Sequence, residues 1–180
     1  FAKECIKPAL GNLIQVLNNS NLDCRYLKCL ATIVCLIEEN CSIYCDNLLE
    51  LYEILYKKLI SQGYTFANAV LIFDGFAFAI AYSLKGDKRL IQKVESKMVF
   101  LLKSTMQKNV QEMLAFVVQL FAVIIDFSGE TNTDSINSIF NSILCPENWI
   151  PDNEAIIPAY LTFLQTYFKY NPNALTGSIQ

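Results

Sequence analysis

The 180-residue chain has no histidine, which removes every mechanism built on an imidazole base or an imidazole metal ligand. It is also poor in charge: 17% of its residues are Asp, Glu, Lys or Arg, against about 25% in an ordinary globular chain. Its 14 basic and 17 acidic side chains leave a net charge of −3 with no long basic run. That balance argues against nucleic acid and against an anionic membrane surface as partners. There is no Cys-x-x-Cys pair and no Gly-rich phosphate loop; the six glycines are scattered, mostly at expected helix ends. Acidic residues are not paired in a cleft-forming pattern, apart from Glu38-Glu39 at a helix end, and a cysteine nucleophile has no histidine to activate it. Neither enzymatic chemistry nor a cofactor is expected.

What the chain has is apolar bulk. Hydrophobic residues make up 53%, with 12 Phe and 9 Tyr, which excludes disorder and suits one compact domain or a few stacked repeats. The seven cysteines are odd in number, and six (Cys5, Cys24, Cys29, Cys35, Cys41, Cys45) precede residue 46, with Cys145 far behind. Cys41 and Cys45, one helical turn apart, could supply thiolates to a metal, but reduced thiols serving as small hydrophobes in a cytosolic or nuclear protein are expected. Two apolar stretches, Phe66 to Leu84 and Met113 to Phe127, invite a membrane test. Asp74 and Gly75 interrupt the first and the second is too short to span, so both are expected as buried helices rather than membrane segments. The chain opens on Phe rather than Met and enters an amphipathic pattern at once; it reads as a piece of a longer protein.

Periodicity is helical throughout. Caps and breakers divide the chain into about eight helices: Ala2 to Leu17; one opened by a near-capping box at Ser20 and Asp23, to Glu39; one capped by Asp46, closed by Gly63; and one capped by Thr65, closed by Gly86. A fifth follows Asp87. A sixth is opened by Asn109 with Glu112 and ends at Ser128-Gly129. A seventh starts at Thr133 or Asp134, and the eighth has Pro158 in its first turn and stops at Asn171-Pro172. Stops after every second helix fall at Asn40, Gly86, Gly129 and Asn171, spaced 46, 43 and 42 residues apart. This is the period of a two-helix HEAT-type repeat. The expected fold is therefore all-α, an α-α superhelix (solenoid) of about four helical hairpins in a single segment, with repeats near 1–40, 41–86, 87–129 and 130–172.

The second helix of each pair is expected to line the concave side. On the sixth helix Glu112, Ala115, Gln119, Ala122 and Asp126 share one narrow face while the others are Leu, Val, Ile or Phe, so that stripe is expected to face solvent. Thinner counterparts are Asp74, Ala77, Ala81 and Lys85 on the fourth helix, Thr162, Gln165 and Lys169 on the eighth, and Arg25, Lys28 and Thr32 on the second. Asp74, Glu112, Gln119, Asp126, Gln165 and Lys169 are the candidate partner contacts; no metal ligand is expected.

Three stretches carry a family resemblance. Asn109-Val-Gln-Glu-Met-Leu-Ala-Phe-Val-Val-Gln-Leu-Phe-Ala-Val-Ile-Ile-Asp126 resembles the inner helix of a middle-to-late HEAT repeat in the CAS family, the importin-α re-exporters of the importin-β superfamily. Ile139-Phe-Asn-Ser-Ile-Leu144 with Trp149, and Ile157-Pro-Ala-Tyr-Leu-Thr-Phe-Leu-Gln-Thr-Tyr-Phe168, are similar to the repeat that follows; Asn153-Glu-Ala-Ile-Ile-Pro158 departs from the family by an insertion. Phe66 to Phe76 is compatible with the preceding inner helix. The resemblance implies a nuclear export receptor that wraps importin-α together with Ran-GTP and shuttles between nucleus and cytoplasm. It also implies that this segment, without the amino-terminal repeats that carry the main Ran contact, binds Ran-GTP weakly or not at all. The competing reading is a HEAT or armadillo scaffold subunit without a transport role.

Overall fold

The computed structural model describes residues 2–62, 65–107, 111–129, 136 and 156–175. The chain is all-α. Its described helices are α1 (Ala2–Asn19), α2 (Cys24–Ile37), α3 (Cys45–Ser61), α4 (Phe66–Gly86), α5 (Ile91–Gln107), α6 (Gln111–Ser128) and α7 (Ile156–Tyr170), with 3-10 turns at Glu38–Ser42, Lys88–Leu90 and Pro172–Leu175. Gly63, Asn109, Cys145 and the helix expected to start at Thr133 or Asp134 lie outside the described residues, apart from Ile136, which is helical and buried.

Two compact units divide the chain, Phe1–Leu90 and Ile91–Gln180. In the first, α1 packs on α3 and α2 on α4, so each helix meets the next but one. This is how hairpins bury apolar faces that none could bury alone. In the second, α6 packs on both α5 and α7.

Local chemistry explains most helix ends. Thr65 sits in extended backbone and its hydroxyl oxygen accepts from Asn68 N at 3.3 Å, opening α4. Asp87 does the same for the 3-10 turn before α5, accepting from Arg89 N at 3.0 Å. Two expected caps are corrected. Asp23 alone caps α2, accepting from Arg25 N at 2.8 Å, while Ser20 turns back and donates to Val16 O at 2.7 Å. The Arg25 side chain, bonded to the same carboxylate, holds Asp23 down to about 2. α3 begins at Cys45 with no side-chain cap, and Asp46 lies inside its first turn. Backbone bonds Tyr44 N to Cys41 O (3.1 Å) and Leu48 N to Tyr44 O (3.0 Å) run the preceding turn straight into the helix. The Asp46 carboxylate still suits the positive end of the helix dipole.

The loop between α1 and α2 is tied to the end of α3. Leu22 N donates to Gln62 Oε1 at 2.9 Å, and Lys58 Nζ donates to Ser20 O at 2.7 Å. Deeper in this unit Tyr52 of α3 stacks on Phe76 of α4, centroids 4.5 Å apart and planes within 5°, and Tyr56 meets Phe73 edge-on at 6.4 Å. α4 is long and apolar enough to cross a membrane by length and composition; 56% of its most apolar stretch is buried inside the protein.

The six described cysteines are free thiols, as expected, but their role as small hydrophobes holds only in part. Only Cys41 and Cys45 are buried among the described cysteines; Cys5, Cys24, Cys29 and Cys35 are exposed on outward faces of α1 and α2. Burial pushes the Cys41 thiol up to about 12, which keeps it protonated and inert.

Glu38, at the end of α2, is the one non-glycine residue of positive φ among those described (φ 45°, ψ −123°). A side chain there costs about 1–3 kcal/mol, while glycine adds under about 1 kcal/mol of unfolded-chain entropy. Glu38→Gly is therefore expected to raise stability by about 1 kcal/mol, read from urea denaturation midpoints. A lower midpoint would show that the glutamate side chain stabilises the turn by more than its backbone costs.

Candidate partner-binding groove

The sixth-helix stripe divides in the structure. Gln119 and Asp126 are exposed, as expected, but Ala115 (8%) and Ala122 (5%) are buried. The expectation that the whole stripe faces solvent fails because alanine adds too little bulk to stand clear of larger neighbours. Ala81 on α4 is buried in the same way, at 8%.

Between α6 and α7 this relief makes a groove of about 430 Å³. Ala122 and Val123 line it from α6, flanked one turn away on each side by Gln119 and Asp126; Gln165 and Lys169 line it from α7. At the Asp126 end the two helices are joined. Lys169 Nζ donates to Asp126 Oδ1 at 2.8 Å, and Tyr170 Oη lies 3.1 Å from the same oxygen and 3.0 Å from the Asp126 backbone O. The ammonium also sits 4.8 Å from the Tyr170 ring centroid. The bond from Lys169, helped by Tyr170, holds the Asp126 carboxyl below its ordinary value, and Asp126 raises Lys169 in turn. Both are charged at neutral pH. With side chains 46% and 61% exposed, solvent screening keeps the pair's energetic weight small, and its effect is to fix geometry.

The remaining polar groups are arranged differently. Thr162 and Thr166 donate their hydroxyl protons backwards along α7, to Pro158 O and Thr162 O, each at 2.9 Å, leaving only acceptor lone pairs for the groove. The Gln119 and Gln165 carboxamides take no partner among the described residues. The lining is thus rich in acceptors, with two carboxamides that can both donate and accept.

Four candidate residues, Gln119, Asp126, Gln165 and Lys169, therefore line one groove. Asp74 is exposed on α4 in the first unit, and the side chain of Glu112 lies outside the described residues. Residue spacing missed Tyr170, whose hydroxyl reaches back 44 positions to Asp126, because no local pattern records a contact between separate helices.

The family model described as "CAS/CSE protein, C-terminus" matches residues 2–179. The chain belongs to the CAS/CSE family. Neither a curated protein nor a solved structure matches it. Membership gives this CAS/CSE segment an exportin-type transport role, with transport-receptor partners and nucleocytoplasmic shuttling. The groove lies on α6 and α7, within the span matched by the family.

Proposed function

We propose that the chain is a segment of a nuclear export receptor that carries importin-α back to the cytoplasm in complex with Ran-GTP. The observation that carries this reading is the family match over residues 2–179. The helices are read as four HEAT-type repeats, near 1–40, 41–86, 87–129 and 130–172, and Asp74, Glu112, Gln119, Asp126, Gln165 and Lys169 as partner contacts. The segment performs no chemistry of its own; release follows GTP hydrolysis by Ran.

The physical support lies in how stacked helices deform. When each hairpin touches only its neighbours, small changes of angle between repeats add up to a large opening. A spring of this kind can close on two partners at once, so that each strengthens the other's binding through linkage. Charges such as Asp126 and Lys169 then tune association and selectivity more than fold stability.

The test is reconstitution with the full-length receptor. Importin-α should be retained with Ran locked in its GTP form and lost with Ran-GDP; retention regardless of nucleotide would overturn the proposal. The 180-residue segment alone should bind Ran-GTP more weakly than about 1 μM by calorimetry, and a nanomolar constant would contradict the assignment of the main Ran contact to other repeats.

A further inference from the structure

Internal bonds leave part of the α6–α7 groove's chemistry unused. Asp126 spends one carboxylate oxygen, Oδ1, on Lys169 and Tyr170, while Oδ2 meets no donor among the described residues. Lys169 uses one of its three N–H donors on Asp126 and lies against the Tyr170 ring, so its positive charge stays beside that carboxylate. The threonine oxygens can only accept. What remains open is therefore weighted towards acceptors, the complement of a cation with several N–H donors. Gln119 and Gln165 add a second specificity. A carboxamide presents the same donor and acceptor as a peptide unit, and one lies on each helix bordering the groove. A helix has satisfied its own backbone groups and offers nothing to such carboxamides, whereas an extended strand exposes both N–H and C=O. The alanine at the base gives that strand room to approach.

Building on the reading of this chain as a partner-binding segment, we propose that the α6–α7 groove takes an extended, arginine-bearing stretch of the partner. Gln119 and Gln165 hold its main chain, and the free oxygen of Asp126 holds its guanidinium. Arginine suits the site better than lysine because its planar fork engages several acceptors at once. The guanidinium shares Asp126 with Lys169, so the resident ammonium weakens the incoming one by repulsion.

The experiment is an NMR titration of the isotopically labelled 180-residue chain with two probes, Ac-Ala-Arg-Ala-NH2 and Ac-Ala-Glu-Ala-NH2. The arginine peptide should shift the side-chain amides of Gln119 and Gln165 and the backbone of α6 and α7, binding at least about fivefold more tightly than the glutamate peptide. Asp126→Asn, which keeps the shape and removes the charge, should abolish that preference. Lys169→Gln should tighten the arginine peptide by about threefold, because it removes the competing cation. Equal response to both peptides, shifts confined to other surfaces, an unaltered preference in Asp126→Asn, or weaker binding in Lys169→Gln would each overturn the proposal. Neither probe contains Ran or importin-α. A silent groove therefore leaves the export-receptor reading standing, and failed receptor loading with a responsive groove counts against that reading alone.

Discussion

Gly86→Ala should lower the unfolding free energy by about 2–4 kcal/mol, at the upper end of what overpacking costs. A methyl group there would overlap the backbone oxygen of Glu39 and lie 2.7 Å from Ser42 Oγ and 3.0 Å from Ser42 Cβ. The obstacle is main chain, so no rotamer change relieves it. Nor is the turn free to retreat. Its Cys41 is fully buried, Ser42 Oγ donates to Glu39 O at 2.9 Å, and Lys85 pairs with the Glu39 carboxylate at 2.7 Å. Glycine's poor helix propensity, about 1 kcal/mol relative to alanine, would by itself make the substitution stabilising. The sign of the result therefore tells which effect wins. Urea denaturation followed by far-UV circular dichroism measures it, and a variant as stable as the parent would mean that the Glu38–Ser42 turn does not rest on α4.

The second large effect concerns Gly75, where a methyl group would stand 2.6 Å from Tyr52 Oη. Tyr52 is 2% exposed and stacked on Phe76, so its ring has nowhere to go. Gly75→Ala is expected to cost about 1–3 kcal/mol. The clash is with one oxygen, and the next ring atom, Cζ, lies 3.5 Å away in ordinary contact. Removing the hydroxyl should therefore cure it. In a double-mutant cycle, Tyr52→Phe should restore most of the stability lost by Gly75→Ala, giving a coupling energy of at least about 1 kcal/mol. Additive losses would place the damage elsewhere than the tyrosine oxygen.

These two glycines mark the boundary between what the sequence reveals and what it withholds. From sequence, Gly86 reads as a helix stop and Gly75 as a flaw in an apolar run. Both are true locally, yet the reason for each is a distant partner: Tyr52, 23 positions before Gly75, and Ser42 and Glu39, 44 and 47 positions before Gly86. Local features were legible. The cap at Thr65, the turn at Asp87 and the stop at Asn171 depend on residues within a few positions, and spacing exposes them. Asp46 misled because backbone bonds from the preceding turn, not a side chain, carry the chain into α3. Within the groove, periodicity placed Gln119 and Asp126 on one face of α6 and Gln165 and Lys169 on one face of α7. It did not reveal that Asp126 and Lys169 are bonded to each other, nor that Ala115 and Ala122 sink below the surface. Four of the six early cysteines misled differently. Cysteine is ordinarily among the more buried residue types, but the outward positions of Cys24, Cys29 and Cys35 follow from which side of α2 meets α4.

The tether from Lys58 and Gln62 to Ser20 and Leu22 has a dynamic consequence. Its two bonds cross from the third helix to the joint between the first and second. The opening pair of helices therefore cannot peel away without also releasing the tail of α3. Amide protons on either side of that joint should exchange with solvent in one collective event rather than residue by residue, and a protease should find the joint a poor substrate until the third helix lets go.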